Sequence, residues 1–249
     1  DSANQFYDEN SISSTNNFNH RVNLRMEYKA DSSNSFIFTP SISFQKNNQG
    51  NSVDGVRYYT LSDLISSTIY NTQSNIDGFS TNNNLLYRHA FAKRGRTISV
   101  NLGVSANHRT GDILLESINK FYESATNDSL QQQTSQLING KTYSANIAYT
   151  EPIGKKGQLQ INYAPSISKN KSDQEVNQFD ALSNKYALFD TTLSNKFDNT
   201  VHTHDAGMTY RIGDRDNMFA IGVAYRHTNL NSDQLFPVAT TIDKSFNNV

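Results

Sequence analysis

The sequence predicts an all-β protein: an antiparallel up-and-down transmembrane β-barrel segment of about eight to nine strands, built as four repeated hairpins with short turns and long loops. Three observations lead there. Apolar and polar residues alternate with period two in several runs, which puts them on opposite faces of a strand. A tyrosine stands shortly before each turn, at Tyr28, Tyr87, Tyr149 and Tyr210, with spacings of 59, 62 and 61 residues, an internal repeat of hairpins. No apolar run approaches the roughly 20 residues a membrane helix requires, whereas a transmembrane strand needs only about 9 to 11.

The first hairpin pairs His20, Val22, Leu24, Met26 and Tyr28 with Phe36, Phe38, Pro40, Ile42 and Phe44 around the turn-forming Ala30-Asp-Ser-Ser-Asn34. In the second, Leu85, Tyr87 and Phe91 lead into Lys93-Arg-Gly-Arg96. Ile98, Val100, Leu102, Val104 and Ala106 follow, alternating with Ser99, Asn101, Gly103, Ser105 and Asn107. The third sets Tyr143, Ala145, Ile147 and Tyr149 before Glu151-Pro-Ile-Gly-Lys-Lys-Gly157, then Leu159, Ile161, Tyr163, Pro165 and Ile167. The fourth turns at Gly213-Asp-Arg-Asp-Asn217 between Ala206, Met208, Tyr210, Ile212 and Phe219, Ile221, Val223, Tyr225. The polar segments between hairpins, roughly 46–75, 108–140 and 170–197, read as long loops that in part extend the strands. A barrel in an outer membrane has short periplasmic turns at one rim and long loops at the other. The aromatics beside the short turns (Tyr28, Phe36, Phe91, Tyr149, Tyr210, Phe219) then form an interfacial girdle.

The words Pro-Ser-Ile-Ser occur twice, at Pro40 and at Pro165, both on the apolar face of a strand. Proline has no N–H to give to a ladder, so each predicts a local break in pairing.

Composition narrows function more than it names it. With 22 Lys and Arg against 23 Asp and Glu, nothing suggests a nucleic-acid partner. Cysteine is absent, which excludes disulfides and thiolate metal sites. The 32 asparagines are compatible with disorder, but 27 tyrosines and phenylalanines placed with period two favour sheet.

His202-Thr-His204 lacks a third ligand at metal-binding spacing, and Glu116, Glu123, Glu151 and Glu175 show no acid–base pairing. Lys93, Arg94, Arg96, Lys155 and Lys156 cluster at turns, and Arg21, Arg25, Asn101, Gln160 and Asn162 fall on the lumen side. No catalytic, cofactor or metal site is expected, and the chain is not expected to be an enzyme.

The words Asn19-His-Arg-Val-Asn-Leu-Arg-Met-Glu-Tyr28, Leu86-Tyr-Arg-His-Ala-Phe91 with Arg94-Gly-Arg-Thr97, Tyr149-Thr-Glu-Pro-Ile-Gly154 and Asp233-Gln-Leu-Phe-Pro237 span nearly the whole chain. They resemble the large outer-membrane β-barrel family of Bacteroidetes-type bacteria, relatives of TonB-dependent receptors. The resemblance implies a bacterial outer-membrane location and contact with outer-membrane lipid. It also implies residues 1–249 as a partial barrel domain, an internal segment whose plug and remaining strands lie elsewhere. Uptake of a nutrient or chelate is the expected role, with TonB reached through the plug and a surface lipoprotein as a further partner. The alternative is a surface adhesion or structural barrel whose loops bind a ligand and which transports nothing. A barrel hydrolase is a weaker alternative, since no catalytic set is legible, and a soluble β-sandwich would follow if the apolar face were a protein core.

Single-cysteine spin labels along residues 98–107 in lipid distinguish membrane wall from core. Oxygen accessibility should peak at Ile98, Val100, Leu102 and Val104 and polar-relaxant accessibility at Ser99, Asn101 and Gly103; shielding of the even positions from both would identify a soluble sandwich.

Overall fold

The alternating runs form strands, and so do the polar segments between them. A computed structural model describes residues 4–60, 63–213 and 217–249. Its elements are β1 (Phe6–Asn23), β2 (Met26–Lys29), β3 (Asn34–Thr60), β4 (Asp63–Ala90), β5 (Thr97–Phe121), β6 (Thr126–Ile153), β7 (Gly157–Asp180), β8 (Lys185–Phe189), β9 (Asn195–Gly213), β10 (Met218–Phe236) and β11 (Thr240–Asn248). They make one antiparallel up-and-down sheet of 11 strands with a nine-strand path in sequence order, β2 continuing the line of β1 against β3 and β8 pairing β7. The sheet is open, with β1 and β11 at its edges.

The four short turns lie where the repeat puts them. Asp31 accepts from the backbone N–H groups of Ser33 (2.7 Å) and Asn34 (2.8 Å), an Asx turn; the Asn34 side-chain amide (2.8 Å), together with these N–H groups, holds the carboxyl below its usual range. Gly95 (φ 86°) and Gly154 (φ 65°) supply the left-handed backbone that their turns demand. The third turn is tighter than expected, because Glu151–Ile153 stay in β6. Within the fourth, residues 214–216 lie outside the described residues.

The long loops are a correction. Segments 46–75, 108–140 and 170–197 are mostly paired strand, and β3 to β7 run for 24 to 28 residues rather than about 12. Connections at that end are short too, such as residues 122–125, although Leu61 and Ser62 lie outside the described residues. Polarity there does not oppose sheet formation, since the side chains pair across strands. Ser52 donates to Asn71 (2.7 Å), Thr68 to Asn119 (2.8 Å), Gln131 to Glu116 (3.1 Å) and Ser135 to Asp112 (2.9 Å).

Pro40 and Pro165 each interrupt one ladder and leave the other whole. Pro40 pairs in register with Asn83 of β4, yet the sheet lapses opposite it at Leu24–Arg25, between β1 and β2. Leu24 N–H donates to the Pro40 carbonyl (3.0 Å), and the ring has no N–H to return. Pro165 pairs with His204 of β9, while its pairing with β6 lapses between Ser144↔Ser166 and Ile147↔Tyr163. Neither gap shifts the register, so the two copies of Pro-Ser-Ile-Ser occupy equivalent places.

Among the described residues only Ile37 (7% exposed) and Val176 (4%) are buried apolar side chains, too few for a soluble core in a 28.0 kDa chain. One exposed face carries a band of large apolar residues: Val22, Leu24 and Met26 on β1 and β2, then Ile42, Leu102, Val104, Ile147, Ile161, Met208, Ile221 and Val223 across the sheet. His20, Thr81 and Asn83 interrupt this band. Two of them are satisfied locally, Asn83 donating to Thr81 (2.9 Å) and Thr81 to the Ser41 carbonyl (3.0 Å).

The upper edge of the band crosses the hydrogen-bonded rows obliquely. One row runs Phe44↔Phe79↔His108↔Asn139↔Lys171↔Asp198↔Asp233. The continuous apolar run of the outward face ends two positions above that row at Phe18 on β1, on it at Phe44, four below it at Tyr143 and Ile167, and eight below it at Tyr225 on β10, with single apolar residues such as Ile12 and Leu137 further out. Ten residues over seven strand steps is about 1.4 residues, or about 5 Å, per step of about 4.8 Å, which tilts the strands by about 45° to the band. That is close to the tilt of strands in transmembrane barrels.

Outward and inward positions therefore differ in their tolerance of charge. Leu102→Arg, at mid-band, should destabilise the folded barrel in lipid by about 2–4 kcal/mol, and Asn101→Arg by much less; urea titration in lipid vesicles checks it, and equal losses would contradict the assigned faces.

Candidate functional site

The face opposite the band is hydrophilic over the same height. Ser41, Ser43, Ser80, Asn82, Ser105 and Asn107 line a concavity of about 360 Å³ that also takes in Arg21. Ser41 donates to Asn23 (2.7 Å), and Asn84 to Asn82 (3.1 Å). Asn101, Gln160 and Asn162 continue this face along β5 and β7, as the alternation predicts. Glycines recur among them and are filled by neighbours. A Cβ on Gly207 would come within 2.6 Å of Asn162 Oδ1, so the amide lies flat across the glycine.

Charge on this face is sparse and mostly compensated where acidic. Asp205 takes both Arg226 Nε (2.5 Å) and the neighbouring guanidinium nitrogen (3.1 Å), and Glu27 lies 3.7 Å from Arg25. Arg25 occupies the gap between β1 and β2, and Arg21 makes no ion pair among the described residues. The wall thus presents amides, hydroxyls and a few arginines to whatever occupies the lumen.

At the short-turn rim the aromatic girdle is present. Tyr28 stacks on Phe36 (6.5 Å), Phe36 meets Tyr87 (4.9 Å), and Phe91 meets Tyr149 edge-on (6.3 Å). Beyond it, Glu151 gathers Arg96 (2.6 and 2.8 Å), Lys93 (2.5 Å) and the Tyr149 hydroxyl (2.6 Å), tying one short turn to the next hairpin. Sequence reasoning placed these basic residues at turns but missed their partner. The signal lay in the register, which sets Thr97 opposite Thr150 and so Arg96 beside Glu151.

The other residues weighed for chemistry do not assemble. Glu116 faces Gln131 and Asn71, Glu123 lies in the turn after β5, and Glu175 is exposed on β7. His204 shares a hydrogen bond with Tyr163 (2.8 Å) and lies opposite His227, but no group of three metal-binding side chains exists among the described residues.

A tilted antiparallel wall, apolar outside, hydrated inside and rimmed by aromatics, defines a transmembrane β-barrel protein of the outer membrane. The chain belongs to the outer membrane protein beta-barrel family, whose model matches residues 89–249. Its location is the bacterial outer membrane. Among solved structures, BauA, the ferric preacinetobactin receptor from Acinetobacter baumannii, is similar at a TM-score of 0.46 and 8% identity, over 96% of this chain and 43% of that one. The chain therefore spans less than half the length of that receptor. No curated protein matches the sequence.

The arginine and lysine bonds to Glu151 hold its carboxyl far below its ordinary value of 4.5. A depressed folded value means the stabilisation is complete above the ordinary range and is withdrawn as pH falls below about 4.5 towards the folded value. Glu151→Gln should lower the melting temperature at pH 7 and narrow the gap to wild type as pH drops below 4.5; a gap independent of pH would remove the clamp from the stability account.

Proposed function

We propose that the chain is part of the wall of a TonB-dependent-receptor-like barrel of Bacteroidetes type, which admits a nutrient or chelate across the outer membrane and performs no covalent chemistry. The observation that supports this most directly is the inner face. Over the height of the band its two carboxylates, Glu27 and Asp205, are each paired with an arginine, while Arg21 and the surrounding serines and asparagines stay open to the lumen. Such a surface exchanges hydrogen bonds with water and with a hydrated solute at similar cost, which favours passage over tight retention. In this reading the plug and its TonB contact belong to other parts of the protein, and a surface lipoprotein is a candidate partner at the outer rim.

The strand extensions support a second reading. They are predominantly polar on both faces past the band, with apolar residues such as Val53, Ile69 and Leu137 scattered among the polar ones, a surface suited to holding a partner outside the cell without transport. Accumulation of a panel of ferric chelates and oligosaccharides by cells with and without the intact protein separates the two. Transport predicts at least a roughly tenfold loss on deletion, the same loss when an uncoupler removes the proton-motive force, and slower uptake by Arg21→Glu at equal barrel abundance. Unchanged accumulation together with lost surface attachment would favour adhesion.

A further inference from the structure

The tilt of the band identifies the residues at its outer edge. Taking the first outward-facing side chain beyond the continuous apolar run on each successive strand gives Lys46 on β3, Asp77 on β4, His108 on β5, Lys141 on β6, Lys169 on β7, and then His204 and His227 on β9 and β10. The residues follow the oblique edge rather than a single hydrogen-bonded row, as a feature set by a membrane surface would. The opposite, short-turn edge is different, since there the basic Arg96 and Lys93 are both paired with Glu151.

Within this collar the charge concentrates on β6 and β7. Lys141 and Lys169 are a directly opposed cross-strand pair, both exposed, and neither makes an ion pair among the described residues. Lys171 stands two residues further along the same face, opposite Asp198. Like charges facing each other across a ladder repel, so the pair is unfavourable unless an anion lies between them. Immediately below stand Tyr143 and Ile167, which face the hydrocarbon. An anion bound here is therefore attached to something that also has an acyl part. On β1 to β5 the same edge holds an outward groove of about 320 Å³ lined by Phe18, His20, Phe44, Phe79 and His108, suited to an acyl chain beside a polar head.

We infer that Lys141 and Lys169 form a binding site for the phosphate of a phosphorylated lipid of the outer leaflet, with Tyr143 and Ile167 against its acyl chains. Lys171 and His108 flank the site. The contact is charge-assisted and non-covalent, and it fixes the depth of the wall where its strands leave the membrane.

Purify the intact protein in mild detergent, add a phosphorylated outer-leaflet glycolipid, and count bound lipid by native mass spectrometry. The Lys141→Gln/Lys169→Gln double variant should bind about tenfold less lipid than wild type. The charge-preserving Lys141→Arg/Lys169→Arg variant should keep it, as should Lys185→Gln on β8, remote from the edge. Wild type given the same lipid without its phosphate should fall to the level of the double variant. Heat-modifiable electrophoretic mobility verifies that each variant is a folded barrel, and the dephosphorylated-lipid comparison needs no variant at all. Equal binding by wild type and the Gln variant, or indifference to the lipid phosphate, would overturn the site; displacement of the lipid by millimolar inorganic phosphate would assign it to a free anion instead.

Discussion

Every backbone N–H and C=O in the hydrocarbon must find its partner within the protein, because lipid offers none. The structure meets this demand with ladders that run unbroken for most of each strand, and the demand explains why the departures sit where they do. Each proline gives up a single donor, and the pairing lapses only on the side where that donor would have pointed. Asn83 and Thr81, polar groups on the outward face, are tolerated because they pass a hydrogen bond to one another and on to a carbonyl. The same constraint bears on the edges of the sheet, where β1 and β11 carry unpaired rows that could not face lipid alone.

The wall was legible in the sequence because one property, period-two alternation, governs both its local conformation and its environment. Ile98 to Ala106 could be assigned a face without any knowledge of their neighbours. The segments beyond the band were not legible in the same way. Residues such as Asn47, Asn48 and Gln49 put polar side chains on both faces, so alternation vanishes and composition alone suggests a loop. What makes them strand is the register handed on from the apolar part below and the cross-strand amide and hydroxyl bonds, both tertiary facts. The Glu151 clamp was hidden for a related reason: its partners Lys93 and Arg96 are over fifty residues away in sequence, and only pairing of β5 with β6 joins them.

The lumen and the outer edge differ in what they ask of their charged residues. Inside, the carboxylates of Glu27 and Asp205 are paired with arginines of the same face. Outside, Lys141 and Lys169 make no ion pair among the described residues, and their placement follows the slope of the band. The two-residue period thus keeps an arginine-paired inner face and a lysine-bearing outer face apart on the same strands.

The continuous strands that carry the wall beyond the membrane also limit how such a protein can change over evolutionary time. A loop can gain or lose a residue freely, but β3 to β7 stay paired almost to their ends. Removing one residue from the middle of such a strand would turn everything beyond it to the opposite face. Length here can therefore vary only in matched pairs of residues on neighbouring strands, so the height of the projecting rim is quantised, and novelty at the cell surface is confined to substitution along the two faces and to the few residues of each outer connection.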